Sequence, residues 1–489
     1  MAEASFSIIQ NVLSLQTALV GLIAFLVALW YFRRPKCLPP GPWFFFPGKK
    51  AHLEMTELSR QFGKIYSIGV GPILVGVVIN DAESFREAFI TKGEQFIDRN
   101  IPPLIKWIAP IEGSFLFENG TLYKERRRFG MHAFRAFGVG QRSLEARINE
   151  EARHLCDLLD QQDEEAINPI PFFSKAVSNI ICSISFGRRY DYTDPEFNAL
   201  LGRFRENEGL ITFQSFANFL PFLYKLPMYD QHRENFRKTR AFIEGMIEEH
   251  KNTFDRSDMR DIIDMYLDEM QRQKEEGASI VFNERSMWRS ILDLFGAGSD
   301  TSTNTLLWGL LFICYDPPIQ SKIQAELDRV IGTERPPSMK DRAELPYTTA
   351  TIAEMLRVRP AAPMTLRGAC SDVKVGDYII PKGTTVFGNI WAVNHDPELW
   401  DDPDKFNPER FLSEDGKEYV HNPNLVTFGA GRRICLGKQL AEMELFLFLT
   451  NLLQRFSVSF PPDQLNPDTE GILGMGHNPR PYKVCLKQR

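Results

Sequence analysis

The sequence predicts a mainly α-helical protein with small β-sheets, one large domain standing behind an N-terminal transmembrane helix. Three observations predict it. Apolar residues recur at helical spacing from Ala82 to about Glu354. Two stretches, Ile65–Ile79 and Cys370–Phe387, replace that rhythm with short strand-like runs between turn signals. An apolar run, Leu13–Phe32, precedes them all. The 489 residues are 43% hydrophobic and 25% charged, which suits a large core and excludes a disordered chain. Length alone suggests about three domains. No Gly/Ser linker or internal repeat divides the chain, so a single large domain is favoured.

The elements follow in order. Leu13–Phe32 is 20 residues long and carries no charge. As a helix it spans roughly 30 Å, the thickness of a bilayer core. Arg33, Arg34 and Lys36 follow at once, whereas only Glu3 is charged before it. By the positive-inside rule the bulk of the protein faces the cytoplasm. A cleaved signal peptide fits poorly, because the basic cluster lies after the apolar run. Pro39-Pro40-Gly41-Pro42 and Pro47-Gly48 cannot continue a helix and read as a stiff spacer. The expected division is therefore an anchor over 1–34, a hinge over 35–48 and a catalytic domain over 49–489. Ile65–Ile79 reads as strand with a turn at Gly71-Pro72, and Pro397–Pro423 reads as irregular chain.

Charge and cysteines exclude several classes. The net charge of −6 offers no argument for nucleic acid as a partner. Seven cysteines are scattered, with no Cys-x-x-Cys pair and no histidine at zinc spacing. That excludes a disulfide scaffold or zinc module and points to free, buried thiols in a reducing compartment.

The most informative segment is Phe428-Gly429-Ala430-Gly431-Arg432-Arg433-Ile434-Cys435-Leu436-Gly437. One cysteine sits in a glycine-rich, doubly basic loop before a long amphipathic run, Lys438–Phe456. At a helix start, exposed N–H groups and the dipole lower a thiol pKa, which suits a thiolate ligand. Gly429, Gly431 and Gly437 permit close backbone approach. Arg433 can pair with a carboxylate such as a haem propionate.

Three further groups stand out. Asn283–Tyr315 reads as one long helix ended by Asp316-Pro317-Pro318, with Phe295-Gly296-Ala297-Gly298-Ser299-Asp300-Thr301 in its middle. Two glycines inside a helix cost about 1 kcal/mol each, so either a ligand or a neighbouring helix must approach there. Glu354 and Arg357 share one helix face, and Arg410 follows in the irregular stretch. Tyr123 and Arg127 lie one turn apart in a strongly basic run, Lys124 to Arg128.

These residues resemble the cytochrome P-450 family over essentially the whole chain. Phe428 to Gly437 matches its haem signature Phe-x-x-Gly-x-Arg-x-Cys-x-Gly at every fixed position. Gly-Ser-Asp300-Thr301, with Ala297 before it, resembles the family's oxygen-binding groove, and Glu354-x-x-Arg357 with Arg410 resembles its structural network. Arg433 to Phe446 looks most like animal microsomal members of the family-2 type. The resemblance implies the cytochrome P-450 fold, haem b, and Cys435 as the axial ligand of its iron. It implies that Phe428, Gly429, Gly431, Gly437 and Ala297 border the haem, and that Arg433, Arg127, Tyr123 and Arg367 reach its propionates. Tyr123 stands where the family pattern has tryptophan. Thr301 would hydrogen-bond dioxygen and Asp300 would relay protons. Glu354, Arg357 and Arg410 would lock the irregular stretch.

The implied activity is insertion of one oxygen atom from O2 into a lipophilic substrate, with electrons from NADPH. No dinucleotide fingerprint follows a strand, so a separate NADPH–cytochrome reductase, and cytochrome b5 beside it, are the implied partners. Lys124, Arg126, Arg432 and Lys438 are candidates for a basic docking patch. Membrane lipid is a further partner, and a single-pass endoplasmic reticulum membrane protein the implied location. Phe115, Leu116, Phe117, Ala297, Met364 and Met475 align with substrate-contacting segments. Phe213, Phe216, Phe219 and Phe222 read as a core stripe, or by analogy as a channel roof that dips into the membrane. Two other readings remain: a reductase-independent isomerase or dehydratase of lipid peroxides, and a haem-binding carrier or sensor. Intact Asp300-Thr301 argues against the first; NADPH consumption separates the second.

Overall fold

The computed structural model describes residues 16–27, 37–70, 73–162, 164–208, 216–218, 220–277, 281–464, 466–474 and 476–489. The architecture is mainly helical with small sheets, as the periodicity predicts. Residues 16–27 form a helix whose apolar side chains, Leu19 to Val27, are exposed. Among the described residues no helix is long and apolar enough to cross a membrane. Much of the expected span, 13–15 and 28–32, lies outside them.

The proline-rich stretch is not a free spacer. Ser67 donates its backbone N–H to the Pro40 carbonyl at 2.9 Å and its hydroxyl to the Pro39 carbonyl at 2.8 Å. Leu38 is buried. Proline leaves carbonyls free as acceptors, and the edge of the sheet uses them.

That sheet has four strands: β1 (Ile65–Val70), β2 (Ile73–Ile79), β3 (Met364–Gly368) and β4 (Thr385–Asn389), in the order β1-β2-β4-β3. β1 and β2 pair antiparallel, Ile65 opposite Ile79, and β2 pairs parallel with β4, Val77 opposite Val386. The turn at Gly71-Pro72 lies outside the described residues. The expected strands between Cys370 and Phe387 are present as Val373–Val375, Tyr378–Ile380 and β4. The stretch 397–423 holds the short 3-10 turn Pro408–Phe411 and one isolated bridge, Leu412 opposite Tyr419.

The helical body is built on α1 (Gly120–Ala136), α2 (Arg142–Asp160), α3 (Ile170–Ser185), α4 (Glu284–Tyr315), α5 (Pro346–Val358) and α6 (Lys438–Arg455). α4 runs 32 residues through the core. Asn283 caps it reciprocally with Ser286, and Asp316-Pro317 ends it. α6 departs from the amphipathic pattern expected of it. Every residue from Met443 to Thr450 is buried, because α2, α4 and α5 cover it from several sides.

All seven cysteines are free. Cys156, Cys182 and Cys314 are buried, as expected of free thiols in a core. Cys37 and Cys435 are exposed.

Candidate haem site

The loop before α6 is shaped by its glycines. Gly429 and Gly431 have φ of 69° and 66°, a region other residues rarely adopt. A Cβ on Gly431 would also lie 1.7 Å from the Phe89 carbonyl oxygen. The Cys435 N–H donates to the Phe428 carbonyl at 2.9 Å and closes the loop. Cys435 stands just before Gly437, the N-cap of α6, so the backbone N–H groups of Gly437 and Lys438 face its sulfur. Protein packs around the thiol, yet it keeps accessible surface. Burial raises the thiol pKa; those N–H groups and the charges of Arg127 and Lys438 oppose the rise.

α4 leaves one short face open. Ala297 and Thr301, one turn apart, are exposed inside a helix that is otherwise largely buried. The Thr301 hydroxyl donates to the Ala297 carbonyl at 2.9 Å, and Thr305 repeats this toward Thr301. The two glycines serve the opposite side. A Cβ on Gly298 would lie 2.4 Å from Ile181 of α3, and one on Gly296 would lie 3.2 Å from Phe204. Their cost therefore secures helix packing, whereas the open face belongs to Ala297 and Thr301.

Arginines gather at one edge. Arg367 and Arg433 are buried, Arg127 is half-buried, and Arg99 is enclosed by protein yet retains accessible surface. Arg367 donates to the Arg433 carbonyl at 3.2 Å and to Thr365 Oγ1 at 2.6 Å. Arg433 donates through Nε to the Ile97 carbonyl at 2.7 Å and packs over the Tyr123 ring, 3.2 Å from its centroid. Burial holds Arg433 down to about 10 and Arg367 well below its ordinary value. Repulsion from Arg99 and Arg433 adds to the depression at Arg367. None of these four arginines makes a salt bridge among the described residues. Buried cations without carboxylates call for an anion. A dianionic porphyrin edge meets that demand, so the residues present fit a haem: an accessible thiol for its iron and guanidinium groups for its propionates.

Other expected positions are resolved differently. Tyr123 is buried, but its hydroxyl donates to the Arg432 carbonyl at 3.0 Å and accepts from Arg127 at 3.2 Å. It therefore ties α1 to the cysteine loop rather than holding its proton free. Arg126 does not belong to a docking patch. It is 1% exposed, pairs with Glu118, and donates to Tyr266 at 2.7 Å and to the Val281 carbonyl at 2.8 Å. Helical period explains this: Tyr123, Arg126, Phe129 and Gly130 form the buried face, leaving Lys124 and Arg128 outside.

Glu354 receives Arg357 at 2.7 and 2.8 Å, Arg410 at 3.3 Å and the Asn407 N–H at 2.8 Å. Phe115 turns toward Gly130 and Leu436, and Met364 is buried in the small core with Tyr66 and Phe387. Leu116 and Phe117 are half-buried. Met475, Phe213 and Phe219 lie outside the described residues; Phe222 is exposed.

Two groups escaped the sequence reading. Asp293, one buried turn before the Ala297 face, accepts from Ser114 Oγ at 2.5 Å and the Leu116 N–H at 3.2 Å, fixing the loop that carries Phe115–Phe117. Arg99 donates to the Leu366 and Leu116 carbonyls at 3.2 and 3.0 Å. Neither sits in a short fixed motif; only an acid inside a helical apolar face hinted at Asp293.

The fold and this site define a haem-binding oxidoreductase, and comparison with known proteins gives the family. The sequence profile of the cytochrome P450 family matches residues 36–486. Cytochrome P450 2U1 of Rattus norvegicus is 39% identical over 443 residues, 90% of this chain and 83% of the relative. Cytochrome P450 2U1 of Homo sapiens is 35% identical over 509 residues, 96% and 93% of the two chains. Cytochrome P450 2J1 of Oryctolagus cuniculus is 37% identical over 490 residues, 97% and 96%. The chain belongs to the cytochrome P450 family, monooxygenase oxidoreductases whose cofactor is haem.

Proposed function

We propose that this chain is a microsomal monooxygenase that oxidises a lipophilic substrate with electrons from NADPH, delivered by a separate reductase. One observation supports the reading: the accessible Cys435 thiol stands beside a group of arginines that have no carboxylate partner among the described residues. Haem held by a thiolate supplies oxygen activation when bound. The chain supplies the rest. Cys435 provides the sulfur, held by the Phe428 carbonyl and faced by the N–H groups of α6. Arg367, Arg433, Arg99 and Arg127 compensate the propionates. Thr301 offers its hydroxyl to dioxygen, and Asp300 beside it passes protons. Glu354, Arg357 and Arg410 keep the cysteine loop in place.

Lys124, Arg432 and Lys438 border the cysteine loop and suit an acidic reductase, with cytochrome b5 as a second donor. Exposed Leu220, Phe222, Leu226 and Met228 suit contact with membrane lipid, which together with the Leu13–Phe32 run supports residence in the endoplasmic reticulum membrane. The substrate class is a fatty acid, steroid or lipophilic foreign compound.

The test is untargeted. Protein, reductase, NADPH and a lipid extract are incubated, and species that gain one oxygen atom are sought by mass spectrometry. Cys435→Ala is expected to abolish the thiolate band of the reduced carbon monoxide complex. Thr301→Ala is expected to keep that band while releasing peroxide in place of product, and Asp300→Asn to slow turnover about a hundredfold. An unchanged band in Cys435→Ala, or peroxide substrates consumed without reductase, overturns the reading.

A further inference from the structure

α6 carries one acid inside the protein. Glu444 is 1% exposed, flanked by buried Met443 and Leu445. Its Oε2 accepts from Ser302 Oγ on α4 at 2.5 Å, and its Oε1 has no hydrogen-bond partner among the described residues. A carboxylate offers about four acceptor sites, and a single neutral hydroxyl leaves most of them empty. The Ser302 hydroxyl donates to Oε2, a bond that either protonation state accepts, so it does not select the ion. A buried carboxylate with one neutral donor and no counter-ion is costly, and the neutral acid is the form that fits.

Among the described residues no counter-charge alters this. On α6 itself, Glu442 lies 3.9 Å from Arg342 and 4.0 Å from Lys438. On α2, Glu151 is held by Arg189, Tyr192 and Asn179. On α5, Glu354 and Arg357 hold each other. Glu326 of the neighbouring helix accepts from Tyr347 and Thr348, and Asp341 pairs with Arg335. α4 adds Asp300, and α3 adds the buried thiol of Cys182. Burial pushes the Glu444 carboxyl up to about 8, and the Ser302 bond opposes it only in part.

Ser302 follows Thr301 directly. It is 3% exposed and faces α6, whereas Thr301 is exposed. Ser299, one turn earlier, is also buried, and its hydroxyl has no hydrogen-bond partner. The Ser302–Glu444 contact is thus a polar clamp between the helix that follows the thiol and the helix that carries Asp300 and Thr301.

We propose that Glu444 is a positioning residue for the Asp300–Thr301 turn, a neutral carboxylic acid whose bond from Ser302 sets that turn and tightens when it ionises. The importance of the turn rests on the monooxygenase reading; the proton state of Glu444 does not.

The test is infrared spectroscopy of the haem-loaded, reduced carbon monoxide complex from about pH 6 to about pH 10. Two bands are followed: the carbonyl stretch of a buried neutral acid, identified by its shift in heavy water, and the stretch of the bound carbon monoxide. Glu444→Gln keeps the volume and the hydrogen bond but cannot ionise. The wild type is expected to show the acid band at neutral pH and lose it around pH 8. Its carbon monoxide stretch is expected to shift with the same midpoint. Glu444→Gln lacks the acid band, and its carbon monoxide stretch is expected not to titrate. Ser302→Ala, which removes the clamp without touching the acid, is expected to keep a displaced acid band and lose the linked shift. A purely structural Glu444 would titrate without moving the carbon monoxide stretch, and that result overturns the proposal. So does absence of the acid band at neutral pH, or an equal titration in Glu444→Gln. If Glu444→Gln does not fold, wild type and Ser302→Ala decide the question alone. A missing thiolate spectrum would overturn the monooxygenase reading instead.

Discussion

Replacing Glu354 by alanine removes the centre of a buried network, and its effect can be worked from the hydrogen bonds. Glu354 and Arg357 are fully buried, and Arg410 is 9% exposed. The substitution removes two charge-assisted bonds from Arg357, one from Arg410 and one from the Asn407 N–H. Arg357 keeps only the Asn394 and Lys405 carbonyls, at 2.7 and 3.2 Å, and its charge stays buried. Removing one partner of a buried ion pair costs about 3–5 kcal/mol, two to nearly four powers of ten in the folding equilibrium. The damage reaches the thiol loop. Asn394, tied to Arg357 through its carbonyl, donates to Thr427 Oγ1 at 3.0 Å, and Thr427 donates to the Leu356 carbonyl at 2.7 Å. Thr427 immediately precedes Phe428. The assay pairs urea denaturation with haem retained per protein after gel filtration. A fall of at least about 3 kcal/mol with loss of haem is expected, and Glu354→Gln is expected to lie between alanine and wild type. A loss under about 1 kcal/mol with full haem retention would refute the reasoning, since a contact that weak belongs to surface pairs.

Gly431→Ala is expected to lower haem retention sharply, because its Cβ would meet the Phe89 carbonyl at 1.7 Å in a backbone region disfavoured for alanine; Gly332→Ala, at a φ of 69° with nothing within 4 Å, is the matched control. Arg126→Ala is expected to cost about 3–5 kcal/mol in urea denaturation while leaving reductase affinity unchanged; Lys124→Glu is expected to do the reverse. At His250, burial opposes the charged form, but the Asp261 contact at 2.6 Å and the Met246 carbonyl outweigh it and raise the pKa. Its stabilisation is therefore full below about pH 6.5 and lost as pH rises through the higher folded value. Urea midpoints of His250→Gln are expected to lack that alkaline decline.

The sequence by itself determined the glycine loop around Cys435, the long helix that carries Ala297 and Thr301, and the Glu354–Arg357 pair. Each lies within a few residues of chain, where local geometry fixes the neighbours: a ten-residue loop around Cys435, one turn from Ala297 to Thr301, an i,i+3 pair. The sequence also determined the small strands, whose period of two does not depend on what covers them. Tertiary structure decided everything that required knowing which face meets which. It turned Arg126 inward and left Lys124 outside, because α1 buries one stripe of a uniformly basic run. It set Gly296 and Gly298 against Phe204 and Ile181, leaving the open face to Ala297 and Thr301. It gave the Tyr123 proton to the Arg432 carbonyl and laid the proline stretch on Ser67. Arg99 joined the arginine rim from 334 residues before Arg433, and Glu444 met Ser302 across 142. Composition and spacing report the contacts a chain makes with itself nearby. Long-range partners depend on packing angles between helices, which no local pattern encodes.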